Sequence, residues 1–171
     1  NLVTLNRYFD AIECFIVRSN SWNGYRFDSM EAGQNEALNN FVIGTVASGF
    51  GIVLFGGFSR AENNVVFGAE SGIYVNDWIR GLVASNNLVC GCGKGFNSGY
   101  DGFGTFLNNI AIGNGTNWST ASARIESASN NAGLAGEAWM VGAGATRITI
   151  ATTDFVDYAN KDLRPASASS P

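Results

Sequence analysis

Two aspartates, Asp77 in VNDWIRG and Asp101 in GYDGFG, stand 24 residues apart, with Tyr74 and Trp78 around the first and Tyr100 beside the second. Paired carboxylates flanking a glycosidic bond cleave it, one as acid and the other as base or nucleophile. Aromatic rings beside them offer faces on which sugar rings stack. Asp77 and Asp101 are therefore the candidate catalytic pair, with Arg26, Tyr74, Trp78 and Tyr100 as candidate carbohydrate-binding residues. Register speaks against catalysis: Asp77 lies five residues past Gly72, whereas Asp101 lies six past Gly95. YDGFG is also a turn signature, which accounts for Asp101 without chemistry.

Other chemistries find little to work with. The 171 residues contain no histidine and three cysteines, Cys14, Cys90 and Cys92, so neither a zinc site nor another metal or cofactor is expected. Cys90 reads as a small core hydrophobe. A net charge of −4 with scattered basic residues lacks the footprint of a nucleic-acid binder. No run of 18 apolar residues and no signal peptide is visible, so no membrane span is expected. A chain opening on Asn1 rather than Met is expected to be a processed product or part of a longer protein. Asn114-Gly-Thr116 and Asn117-Trp-Ser119 match the glycosylation sequon, a chance match in an Asn-rich repeat.

What would position any site is a repeat. NNFVIG at 39–44 returns as NNVVFG at 63–68, NNLVCG at 86–91, NNIAIG at 108–113 and NNAGLA at 130–135, with first asparagines 24, 23, 22 and 22 residues apart. Periods of this size mark stacked architectures. With 46% hydrophobic residues, 22 glycines and two prolines, the composition supplies one core and favours short strands joined by glycine turns. Each period holds at least two strands, too few for a propeller blade, and lacks the helix of a leucine-rich repeat. A solenoid coil remains, its strands pairing in parallel with those one coil along. Five to six coils are expected.

Alternation along a strand then assigns faces. It predicts that Phe41/Ile43, Val65/Phe67, Leu88/Cys90, Ile110/Ile112 and Ala132/Leu134 point inward, with Ala37, Ala61, Ala84, Phe106 and Ala128 inward ahead of the turn. On the next strand Tyr25/Phe27, Ile52/Leu54, Ile73/Val75 and Phe96/Ser98 point inward, leaving Arg26, Val53, Tyr74 and Asn97 outside. Val42, Val66, Val89 and Ala111 would then form an outer apolar stripe, an interface for another chain or for the C-terminal segment. Asparagine tolerates left-handed backbone and bonds turns through its amide, so Asn40, Asn64, Asn87, Asn109 and Asn131 are expected to form a ladder. Gly44, Gly68, Gly91 and Gly113 would turn the next corner. ECFIVRSNSWNGYRF at 13–27 aligns with the repeat, placing Phe15 and Val17 inward and Cys14 at the ladder position.

The pattern NNxVxG followed by GIxV resembles the right-handed parallel β-helix of the pectate-lyase-like superfamily. The ending DFVDYANKDLRPASASSP is similar to the closing segment of bacterial and phage β-helix proteins, with Leu163 where an aromatic is usual and an Ala/Ser run in place of glycine. The expected fold class is thus all-β, a right-handed parallel β-helix solenoid of about 22–24 residues per coil. Residues 1–135 would form the coils, and residues 136–171 a last strand at 146–151 and a capping or tail segment. The resemblance implies two functions. One is a structural module of a virion or cell-surface assembly of fibre, tailspike or decoration type, with polysaccharide as a candidate ligand. The other is a polysaccharide depolymerase, whether a hydrolase using Asp77 and Asp101 or a lyase, which in this superfamily uses a basic residue and calcium. Even repeats without a long insertion to wall a groove favour the first. An extracellular or virion location, a homo-oligomer, and other chains or domains capping the solenoid ends follow from it.

Overall fold

In the computed structural model, which describes residues 23–28, 36–43, 49–55, 59–76, 81–98, 103–119, 124–137, 146–160 and 162–167, the strands come in threes. The first set is β1 (Asn23–Asp28), β2 (Glu36–Leu38) and β3 (Phe41–Ile43), and the second is β4 (Phe50–Phe55), β5 (Arg60–Glu62) and β6 (Val65–Phe67). The third is β7 (Ser71–Asn76), β8 (Leu82–Ser85) and β9 (Leu88–Cys90), and the fourth is β10 (Lys94–Ser98), β11 (Phe103–Leu107) and β12 (Ile110–Ile112). The fifth is β13 (Thr116–Ser119), β14 (Arg124–Ser129) and β15 (Asn131–Leu134). Every strand pairs in parallel with its equivalent one rung along, giving three stacked sheets: A through β1 and β4 to β13, B through β2 and β5 to β14, and C through β3 and β6 to β15. β16 (Arg147–Ile150) extends sheet C by a sixth strand, as the TRITIA segment predicts. The protein is all-β, a parallel solenoid with three faces. The strand just ahead of each asparagine pair, in sheet B, is one that the repeat marks only through its inward alanines.

The asparagine pair makes the corner between sheets B and C. Asn39, Asn63, Asn86, Asn108 and Asn130 all sit at φ between 54° and 57°, the left-handed conformation that asparagine tolerates best after glycine. The second asparagine of each pair is buried. Asn64 shows why: its Oδ1 accepts the Asn40 backbone N–H at 2.9 Å and the Asn40 amide at 2.8 Å. Its own amide donates to the Ala37 carbonyl and to Asn87 Oδ1, both at 2.9 Å. Asn87 and Asn109 repeat this arrangement, and Asn131 closes it with a bond to the Phe106 carbonyl. Both amide hydrogens and both acceptor positions of each middle asparagine are therefore occupied inside the tube. At the first described rung, Asn40 Oδ1 has no partner among the described residues.

The left-handed corner also reverses the expected facing of sheet C. Simple alternation from Ala37 would put 39, 41 and 43 inside. The turn at Asn39 consumes one residue of that count, so Asn40 follows Ala37 inward and Val42 follows Asn40. Val42, Val66, Val89 and Ala111 consequently lie in the main core with Ile52, Leu54, Ile73 and Val75, and form no outer interface. Phe41/Ile43, Val65/Phe67, Leu88/Cys90, Ile110/Ile112 and Ala132/Leu134 point the other way; Phe41 and Ile43 are 42% and 54% exposed. In sheet A the expected facing holds for Ile52, Leu54, Ile73, Val75 and Phe96, all buried, while Ser98 is half-buried. Tyr25 and Phe27 pair in register with Ile52 and Leu54. Toward the C-terminal end the core turns aromatic: Phe96 stacks on Trp118 at 4.4 Å, and Phe106 meets both rings edge-on.

The glycine of GIxV has a steric cause. A Cβ on Gly72 would stand 2.2 Å from Val89 Cγ1 and 2.8 Å from the Gly95 carbonyl oxygen, and one on Gly51 would meet Val66 and the Gly72 carbonyl just as closely. Gly72→Ala is expected to cost about 2–3 kcal/mol by overpacking, read as a lowered urea midpoint. Gly68, Gly91 and Gly113 take positive φ at the corner after sheet C, as their spacing predicts; Gly44, Phe15, Val17 and Cys14 lie outside the described residues.

Beyond β16 the chain leaves the solenoid axis. A 3-10 turn at Thr152–Asp154 leads into β17 (Phe155–Asp157) and β18 (Asp162–Pro165), an antiparallel hairpin. Phe155, with Tyr158 and Leu163, packs against Cys90, Ile112, Leu134 and Ile150 on the outer side of sheet C. A second, smaller core thus lies outside the tube, separate from the main one. The expectation that the chain's own C-terminal segment covers an apolar face of this sheet holds in kind, on the opposite row of side chains.

Candidate functional site

Two outer surfaces carry the candidate residues. On sheet A the register aligns Arg26, Val53, Tyr74, Asn97 and Ser119 across the five strands, so Arg26 and Tyr74 occupy one register row two rungs apart. Val53 in that row is buried. The Tyr74 ring is half-buried and lies 4.7 Å from the Phe50 ring, tilted by 35°. Burial raises the Tyr74 hydroxyl above the ordinary phenol range, so it stays protonated and available as a donor. One rung along, Asn97 donates its amide to the Ser71 hydroxyl at 3.0 Å. Ser71 is buried, so the groups this row offers to solvent are the half-buried Tyr74 ring with its hydroxyl and the Asn97 side chain; such an aromatic face with a polar rim suits a sugar ring.

Asp77, Trp78, Tyr100 and Asp101 lie outside the described residues. Strand register still fixes their spacing along the chain: Val75 pairs with Ser98, so Asp77 follows its paired position by two residues and Asp101 by three. Phe50 is the partner that sequence reasoning missed, because it precedes the glycine from which the strand was counted.

Of the described carboxylates, Glu70 accepts the Gly49 N–H at 3.3 Å, next to Phe50, and others are engaged elsewhere. On sheet B, Arg60 forms an ion pair with Glu36 of the neighbouring rung and another, at 3.7 Å, with Glu62 of its own strand. Glu137 accepts the Leu134 N–H at 2.7 Å and the Gly113 N–H at 3.4 Å, tying the end of β15 to the rung before it. Among the described residues no group of three or more His, Cys, Asp or Glu is gathered as for a metal, and no helix is long and apolar enough to cross a membrane. The second sequon falls on Asn117, which is buried with its Oδ1 accepting the Asn114 amide at 2.8 Å.

The second surface is the outer side of sheet C. One row runs Phe41, Val65, Leu88, Ile110, Ala132 and Ile148, and the other runs Ile43, Phe67, Cys90, Ile112, Leu134 and Ile150. The hairpin covers the later members of the second row, leaving Phe41, Ile43 and Ile148 exposed. Phe41 and Phe67 pack ring to ring at 5.7 Å. Along the first row, a groove of about 330 Å³ is lined by Asn108, Ile110, Asn130, Ala132 and Ile148.

Inside the tube, Cys92 sits two residues from Cys90 but on the opposite side of the sheet. Burial pushes its thiol from an ordinary value near 9 up to about 11. The folded state favours the neutral thiol, so its contribution is complete below pH 9 and is lost as pH rises from 9 to 11. On the order of 2 kcal/mol is expected to disappear over that interval, and Cys92→Ala to flatten this alkaline loss in urea titrations.

Stacked rungs, an internal amide ladder and an outer hairpin define the chain as a parallel β-solenoid protein. Comparisons with family models, with curated proteins and with solved structures give no match.

Proposed function

We propose that this chain is a structural β-helix module of an extracellular or virion assembly, in which copies pack side by side through the outer face of sheet C, and that sheet A carries a carbohydrate-binding surface. The observation that carries the reading is the outer apolar face of sheet C, which the hairpin covers at one end and leaves open at Phe41 and Ile43. Exposed apolar surface at Phe41 and Ile43, on a sheet face whose far end the hairpin covers, favours a partner on that side. The repeat and the tail support kinship with the right-handed β-helices of the pectate-lyase-like superfamily, whose fold serves fibres and enzymes alike. Tyr74 on Phe50 supports sugar binding on sheet A.

Sedimentation velocity tests the association. The parent chain is expected to sediment as an oligomer, and Phe41→Asp/Ile43→Asp to sediment as a folded monomer. A monomeric parent, or an unchanged oligomer in the variant, contradicts it. Incubation with acidic and neutral polysaccharides separates binding from depolymerisation: retention without new reducing ends, weakened by Tyr74→Ala, is expected. Cleavage abolished by Asp101→Asn would establish the enzyme instead.

A further inference from the structure

Among the described strands, those of the hairpin at 151–167 stand apart: β17 and β18 pair antiparallel with each other and with none of the three stacked sheets. Hydrogen bonds within the hairpin run from the Ala151 N–H to Asp154 Oδ2 at 2.7 Å, from the Ala166 N–H to the Asp154 carbonyl at 2.7 Å, and from the Asn160 amide to Asp157 at 2.7 Å. Arg164 pairs with Asp162 beside them and holds its carboxyl below the usual range. At its interface with the solenoid Phe155 is the hairpin's buried residue while Tyr158 and Leu163 are half-buried, and burial with the nearby Cys90 and Glu137 raises the Tyr158 hydroxyl above the ordinary phenol range. The Tyr158 hydroxyl rests over Gly113, where a Cβ would come within 2.6 Å of it.

The two cores do not merge. The tube interior has its own apolar cluster and the amide ladder, whereas the outer cluster consists of one face of sheet C and the hairpin. A two-stranded hairpin is marginal by itself, and elements with few buried contacts open at lower free energy than a packed core. Cys90, fully buried in the outer cluster, and Cys92, buried in the inner one, therefore report on the two sides of a single sheet.

We propose that the C-terminal hairpin is a latch that opens as a unit from a solenoid that stays folded, gating access to Cys90 and to the apolar row around it. Closed, it leaves Phe41 and Ile43 exposed at one end of the outer face. Open, it uncovers Cys90, Ile112, Leu134 and Ile150 as well, so the same face becomes an apolar stripe along the length of sheet C. The latch stands independently of what docks on that face.

Alkylation of single-thiol forms of the full chain tests this. Cys14→Ala/Cys92→Ala keeps the outer thiol, and Cys14→Ala/Cys90→Ala keeps the inner one; each is treated with iodoacetamide at pH 8 and followed by mass. Burial lowers the thiolate content of Cys92 and with it the Cys92 rate, so the decisive quantity is the rate ratio between variant and parent at each position. Phe155→Ala is expected to accelerate Cys90 tenfold or more and to leave Cys92 within twofold. Equal acceleration of both thiols, or of neither, overturns the proposal. Leu163→Ala serves where circular dichroism shows that Phe155→Ala has not folded, with the same criteria. In the parent, the Ala166 amide is expected to exchange its hydrogen much faster than the Leu88 amide, which bonds the Asn64 carbonyl inside sheet C; equal protection would also overturn the latch.

Discussion

Asn87→Ala lowers the free energy of unfolding by about 4 kcal/mol, because each group that loses its partner inside the tube costs about 1–3 kcal/mol. The alanine removes the acceptor shared by the Asn64 backbone N–H, at 3.0 Å, and the Asn64 amide, at 2.9 Å. It also removes the donors to the Ala61 carbonyl and to Asn109 Oδ1, both at 2.9 Å. No water can replace these partners in a filled interior, and the rungs above and below are held apart by strand pairing, so they cannot close the gap. The neighbouring Asn86 provides the control. Its side chain is exposed and its backbone sits at φ 55°, so Asn86→Gly is expected to change stability by only a few tenths of a kcal/mol and Asn86→Ala by about 1 kcal/mol. Urea unfolding of the three variants reads the contrast between adjacent asparagines of one sequence pair.

Val66→Asp abolishes the native fold. Val66 is fully buried, and its Cγ1 stands where a Cβ on Gly51 would be 2.4 Å away, so the site has no room for water beside a carboxylate. An unpaired buried charge costs several kcal/mol, on the scale of a domain's whole stability of about 5–15 kcal/mol. Phe41→Asp, one residue before the equivalent of Val66 in the preceding rung, is expected to cost about 1 kcal/mol or less, since its side chain meets solvent. Circular dichroism on the two variants decides which row of sheet C is the core. Loss of fold in Phe41→Asp with retention in Val66→Asp would restore the facing that simple alternation predicts.

The period was legible because a solenoid repeats its corner chemistry, and the ladder because the second asparagine has one purpose that survives burial. Even the weakened NNAGLA keeps both features, with Asn130 left-handed and Asn131 in the ladder. Facing was harder to read. Alternation holds within a strand but not through a left-handed residue, and VVF, LVC and IAI are apolar on both sides, so their composition does not announce which side is inside. The true signal was Asn64 itself: a buried ladder residue must share its face with the residue two further on, which is Val66. The apolarity of the other face also had a cause outside the repeat, since Phe155, Tyr158 and Leu163 come from the tail to cover it. Of the proposed carbohydrate surface, Tyr74 was legible from outward alternation in sheet A. Its ring partner Phe50 belongs to the turn before Gly51, where no periodic pattern distinguishes it.

Side-chain amide hydrogen exchange, followed by nuclear magnetic resonance on uniformly labelled protein, tests the solenoid corner most directly. The amide hydrogens of Asn64, Asn87 and Asn109 are expected to persist long after those of Asn63, Asn86 and Asn108 have exchanged. One common fast rate for all six, or protection of the first asparagine of each pair in place of the second, would contradict the internal ladder and with it the assignment of Val42, Val66, Val89 and Ala111 to the core.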